Sequence, residues 1–151
     1  MRTQIRVAGI LIADGAVVME NALGSDLWNL PGGRLEEAET LRLAVRREFQ
    51  EEMGLAVACE DMLFVHENFF PLGGDIMREY GFYFRVSGLD ANASPRQALA
   101  SREARFRYEW IALDQLHEIN FQPVVLIQHL VDPPPALLYL ETRDATLLGD
   151  R

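Results

Sequence analysis

The chain has 151 residues, the size of one domain, and folding at this length buries about 70% of the extended surface, so no disulfide or metal staple is required. Hydrophobic residues make up 49% and charged residues 25%, as in an ordinary soluble globular protein. The 14 basic residues are all Arg and face 23 acids, a net charge of −9, which disfavours a nucleic-acid backbone binder; the lack of Lys excludes a Walker A loop, a Schiff base and a kinase-type ATP clamp.

The first element is a hairpin over residues 5–19, because Asp14-Gly15 separates two apolar runs. Leu27 to Leu30 reads as a short strand closed by a turn at Pro31-Gly32-Gly33. From Glu39 or Thr40 to Met53 there is no Gly or Pro. Leu41, Val45, Phe49 and Met53 recur every four residues, and Gly54 follows where a helix ends. Leu55 to Phe70 predicts a strand or strand pair interrupted near Glu60-Asp61, followed by a Pro71-Leu72-Gly73-Gly74 loop and a strand from Tyr80 to Val86. Residues 87–101 read as a flexible loop and Phe106 to Leu113 as a strand. Short helices are expected from Asp114 and over Gln122 to Leu130. Pro133-Pro134-Pro135 sets off a tail (132–151) whose Leu137 to Leu140 segment is an edge strand or an oligomer contact. One helix set between strands of mixed connectivity predicts a single α/β domain spanning 1–151.

Cys59 is the sole cysteine and has no internal partner, which suits a reducing compartment. The N-terminus lacks the apolar core of a signal peptide, and no run approaches the roughly 18 apolar residues of a membrane span. A cytoplasmic location with no membrane partner is the expectation.

The chemistry concentrates between Gly33 and Leu55. Glu48, Glu51 and Glu52, spaced i, i+3, i+4, fall within a ~100° arc of one helix and border its apolar stripe. Like charges stacked this way repel, and Arg47 with Glu51 is a local i, i+4 pair. A solvated, salt-bridged face is one meaning of such a run; the other is a cage for a hard divalent cation such as Mg²⁺, completed by waters and substrate phosphate oxygens. Pro31-Gly32-Gly33 places open backbone at the helix entrance, where a ligand can approach.

Gly33, Glu39, Arg47, Glu48, Phe49, Glu51, Glu52, Gly54 and Leu55 together resemble the signature of the Nudix hydrolases. At roughly 7% per fixed residue, its seven fixed positions match by chance about once in 10⁸ windows. Leu27 to Gly33 resembles the family's lead-in and Glu109 to Leu113 its later strand, so the likeness spans most of residues 5–130; Ala38 departs from the Gly that many members carry. The resemblance implies an α/β/α sandwich with a mixed central sheet. It also implies hydrolysis of a nucleoside diphosphate linked to another moiety, by water attack at phosphorus with Mg²⁺ or Mn²⁺. By that resemblance Glu48, Glu51, Glu52 and the Gly33 backbone carbonyl hold the metal, and Arg47 orients one of the glutamates. The general base comes from the same helix or from a loop acid, with Glu103 and Glu79 as candidates.

Substrate contacts are expected from Arg102, in the Arg96 to Arg107 cluster, and from Trp28 and Phe70; Phe69, Tyr80 and Phe121 are further aromatics of stacking type. His66, His117 and His129 show no metal-ligand spacing. Pro71, sixteen residues after Leu55, resembles a mark of the ADP-ribose and nucleotide-sugar subgroup, while nucleoside triphosphates and dinucleoside polyphosphates stay open. The expected partner is a small nucleotide, with a homodimer through the tail or the N-terminal hairpin as family habit. The alternatives are a non-catalytic nucleotide-binding domain with a regulatory role and a structural acidic protein whose glutamate face serves a partner. Without Lys, any side-chain cation on the phosphates is Arg.

Overall fold

The computed structural model describes residues 1–147. Its centre is a mixed sheet in which β1 (Arg2–Ala13), β2 (Ala16–Ala22), β3 (Leu27–Asn29), β4 (Gly32–Arg34), β5 (Val57–Leu72), β6 (Asp75–Gly88), β7 (Phe106–Ala112), β8 (Asn120–Phe121) and β9 (Leu138–Arg143) take part. The main path runs β8-β3-β2-β1-β6-β5-β9, with β4 on β1 and β7 on β2. Helix α1 (Leu41–Met53) packs on one face; two short 3₁₀ turns and α2 (Ile127–Val131) cover the other.

Alternation along the strands explains the layers. Val7 and Leu11 of β1 face α1, where they meet Val45, Phe49 and Met53, while Ala8 and Ile10 face Leu116, Leu126 and Leu130. Because both faces are covered, β1 and β2 read as continuous apolar runs. Gly9 gives the Phe49 ring its place: a Cβ there would lie 2.4 Å from the ring.

The Asp14-Gly15 turn forms as expected, with φ of 49° and 74°, the double left-handed geometry that matches strand twist. Thr40 caps α1 by accepting from the Leu43 N–H, and Gly54 ends it at φ 67°. The interruption near Glu60 is a register shift between Cys59 and Phe64, within one long β5.

Three expectations are corrected. Gly32-Gly33 is not a turn but part of β4, paired with Ala8 and Val7 of β1; a Cβ on Gly32 would lie 2.0 Å from the Val7 carbonyl oxygen, so only glycine allows this approach. The Pro71 to Gly74 loop shrinks to Gly73-Gly74, both at positive φ, because Pro71 and Leu72 extend β5 opposite Ile76 and Asp75. The helix expected over Gln122 to Leu130 is a 3₁₀ turn at Val124–Leu126 leading into the short α2. The tail supplies β9 as an edge strand, parallel to β5 from Phe64↔Leu138 to Phe69↔Arg143. Among the described residues no helix is long and apolar enough to cross a membrane.

Candidate active site

The N-terminal approach to α1 is tied down by one side chain. Arg47 donates to Glu39 Oε1 at 2.6 Å and Glu39 Oε2 at 2.9 Å, to Glu48 at 2.9 Å, to Glu51 at 3.2 Å and to the Arg34 carbonyl at 3.3 Å. Glu39 also accepts the Glu36 N–H. The Arg47 guanidinium holds the Glu39 carboxyl below the usual carboxylate range, and its own pKa rises through the same contact. Thus Glu39 braces the segment leading into α1 from a position just before the cap.

Three acids meet where α1 lies over the sheet. Glu48 packs against Gly33, at which a Cβ would lie 2.4 Å from Glu48 Oε1. Glu52, only 8% exposed, shares its surroundings with Glu20 of β2, 7% exposed. Burial, then the charges of Glu20 and Glu48, push the Glu52 carboxyl far above its ordinary value, with Arg6 opposing. Burial raises the Glu20 carboxyl as well, against the pull of Arg6. Tyr108, opposite Glu20 in the β2–β7 register, is raised by burial and by Glu52 and Glu20.

Glu52 Oε2 and the Tyr108 hydroxyl are buried without a hydrogen-bond partner among the described residues. An unpaired buried carboxylate is costly, and metal coordination is one way to satisfy it. This donor set, all oxygen and acid-rich, fits a hard divalent cation. Among the described residues no three His, Cys, Asp or Glu side chains are already drawn into a metal-holding group. Glu51, 59% exposed, points to Arg47 at the surface, while Glu48 and Glu52 converge with Glu20.

A cleft runs from Arg6 across the β1–β6–β5 side of the sheet. Its inner part, about 120 Å³, is lined by Arg6, Asn29, His66, Asn68, Glu79 and Gln122, among others. An outer part of about 460 Å³ shares Asn29, Asn68 and Gln122 and adds Phe70, Val124 and Arg143. Arg6 donates to the Leu30 carbonyl at 2.8 Å. Because Arg6 also acts on Glu20 and Glu52, the cleft begins beside the acid cluster. Phe69 and Phe70 both line the outer part, and Arg78 and Arg143 lie 5.0 and 5.3 Å from the Phe69 ring centre.

The structure brings together Gly33, Glu48 and Glu52, with Arg47 alongside. It separates the other candidates. Trp28, 7% exposed, belongs to the core, with Arg107 over its ring at 5.2 Å. Arg102 lies against Gly54 at the C-terminal end of α1, its backbone N–H donating to the Glu52 carbonyl at 2.8 Å. Glu103 pairs with Arg105 at 3.4 Å in the loop before β7, yet its charge still reaches Tyr108 beside the acid cluster. Glu79 lies in the cleft and accepts from Gln4. Of the other aromatics, Phe121 is fully in the core. Arg6, Glu20, Asn29, Asn68, Gln122 and Tyr108 were not singled out from sequence. The signal that was there is Glu20, an acid closing the apolar run Ala16 to Met19.

The site is thus a helix carrying clustered carboxylates over a mixed, curled α/β sheet, the architecture that the sequence resemblance implies. The model of the NUDIX domain matches residues 2–130: the chain belongs to the Nudix family and is a Nudix hydrolase. It is 29% identical over 119 residues, 76% of this chain and 82% of the relative, to a Buchnera aphidicola protein named 8-oxo-dGTP diphosphatase. It is 36% identical over 72 residues, 46% of this chain and 47% of the relative, to Escherichia coli K12 phosphatase NudJ. The crystal structure of a Nudix hydrolase from Nitrosomonas europaea has the same fold, with a TM-score of 0.71 at 17% identity, covering 95% of this chain and 81% of that one.

Proposed function

We propose that this hydrolase cleaves the phosphoanhydride of a nucleoside di- or triphosphate derivative, with Mg²⁺ or Mn²⁺ held by Glu48, Glu52 and the Gly33 carbonyl, and by Glu51 once it turns in from Arg47. The observation that carries this reading is Glu52 Oε2, buried, unpartnered and crowded by Glu20 and Glu48. A bound dication supplies neutralisation of phosphate charge and a more acidic water. The chain's own residues do the rest. Arg47 fixes the Glu48 carboxylate, Arg6 supplies the positive side chain at the inner end of the cleft, and the nucleoside lies along Asn29, Asn68 and Phe70. A helix glutamate takes the proton from the attacking water, with Glu103 as the second candidate.

The relative named 8-oxo-dGTP diphosphatase favours a nucleoside triphosphate over the sugar-linked class that Pro71 pointed to. Pro71 sits inside β5 and is explained by strand pairing alone. The single free Cys59 suits a reducing, cytoplasmic setting. A nucleotide panel of dGTP, 8-oxo-dGTP, ADP-ribose, a nucleotide sugar and a dinucleoside polyphosphate, with Mg²⁺ and product identification, tests the reading. Release of a mononucleotide supports it; no turnover of any member overturns it.

A further inference from the structure

Strand β9 lies beyond the stretch matched by the family model, which ends at residue 130. Its parallel pairing places Thr142 opposite Asn68 of β5. The Thr142 hydroxyl donates to Asn68 Oδ1 at 2.6 Å. A hydroxyl has one proton, so toward His66 Nε2, also 2.6 Å away, the same oxygen acts as acceptor. His66 is 3% exposed, and its ring therefore holds the Thr142 oxygen in one orientation. With Oδ1 engaged, Nδ2 is the hydrogen-bonding group that Asn68, a residue of the cleft lining, has to offer a ligand.

Across the cleft the polarity is reversed. Asn29 donates its Nδ2 to the Gln122 carbonyl at 3.0 Å, which leaves Oδ1 as the acceptor on offer. Glu79, in the same inner cleft, offers a carboxylate. Arg6 and Gln122 share this lining; with Arg6 given to phosphate, the Asn68 donor and the Asn29 and Glu79 acceptors complement the edge of a 6-oxopurine, which has a carbonyl acceptor beside N–H donors. An adenine edge puts an amino donor where the carbonyl would be.

Resting on the nucleotide-hydrolase reading, we propose that Thr142 is a positioning residue for substrate choice: through His66 and Asn68, the β9 tail sets the cleft to take a guanine-type base over an adenine-type base. Thr142 lies at the wall of the outer cleft, and it acts by holding the Asn68 amide in one of two orientations. Freed of that hydrogen bond, Asn68 presents either its oxygen or its nitrogen and the choice is lost.

The test compares wild type, Thr142→Val and Thr142→Ser by calorimetric binding of GMP and AMP, alongside dGTP and dATP hydrolysis with Mg²⁺. Wild type is expected to prefer GMP by about tenfold or more. Thr142→Val should lose most of that preference through KM rather than kcat, and Thr142→Ser should keep it. Should Thr142→Val fail to fold, Asn68→Asp carries the test, because it replaces the donor by an acceptor and should shift preference toward AMP. An unchanged GMP-to-AMP ratio in both variants, or a wild type preferring AMP, overturns the proposal. Loss of hydrolysis on every nucleotide with the binding preference intact would sink the hydrolase reading instead. Equal falls in both bases' kcat would mark a merely structural Thr142 and overturn the proposal.

Discussion

Arg47 stands 2.6 Å from Glu39 across eight residues of chain, joining the segment before α1 to the middle of the helix. The same guanidinium reaches Glu48 and Glu51, so it both fastens the helix entrance and offsets repulsion among the acids. A two-point Arg–carboxylate contact of this kind is worth about 1 kcal/mol when partly buried. Glu39→Gln should therefore lower Tm by about 2–4 °C at pH 7. The Glu39 pKa is depressed in the fold, so its stabilisation is present above the ordinary carboxylate value and lost as pH falls below it. Thermal melts of both proteins should converge once pH falls below the depressed native value of Glu39.

Glu52 has the opposite sign. Its carboxyl is raised in the fold, so the metal-free native state holds a proton that the unfolded chain releases above about pH 4.5. Stability falls as pH rises through that window. Glu52→Gln should raise the Tm of the metal-free protein at pH 8 and leave it nearly unchanged at pH 4. Added Mg²⁺ should raise the wild-type Tm at pH 8 and move the variant much less. Melts with and without chelator read both effects.

His66 adds a third pH dependence. Burial lowers its pKa, so the unfolded chain takes up a proton that the native state resists. Stability is complete above about pH 6.5, declines as pH falls below it, and levels off once pH is under the native value. Between pH 7 and 5 His66 pulls Tm down on acidification while Glu52 pushes it up, so Tm should rise more steeply on acidification in His66→Gln than in the wild type, whatever the substitution does to the absolute Tm.

Gly33→Ala should separate folding from catalysis. The added Cβ meets the Glu48 carboxylate at 2.4 Å, and Glu48 is a flexible side chain able to move aside. The fold should survive with little change in circular dichroism, while kcat falls by about 10²-fold because a carboxylate is displaced by about an ångström.

Ala38 carries φ of 61°, a left-handed conformation that costs an alanine about 1–2 kcal/mol. Ala38→Gly relieves that strain and gives back part of the gain as added freedom of the unfolded chain. A net rise in Tm of about 1–3 °C is expected by calorimetry.

Local patterns were legible in the sequence. The Asp14-Gly15 turn, the Thr40-to-Gly54 helix and the break near Glu60 are each written in neighbouring residues. The helix half of the site was legible for the same reason, since Glu48 and Glu52 share one face by spacing alone. What escaped depends on distant pairing. Gly32-Gly33 reads as a turn until β1 is known to lie against it, and Glu20 and Arg6 join the site only because β1 and β2 pass under α1. The role of Asn68 and Thr142 likewise required the parallel β5–β9 register. Trp28 shows the converse: an aromatic beside the helix entrance suggests stacking, yet its strand turns it into the core.

The central claim is that Glu52, buried and with its Oε2 unpartnered among the described residues, works by holding a divalent cation against a phosphoanhydride. Steady-state kinetics of wild type and Glu52→Gln on the best nucleotide of the panel, with Mg²⁺ saturating, test it most directly. The account predicts a fall in kcat/KM of about 10³-fold or more with the variant fully folded. Equal turnover by the two proteins would contradict it.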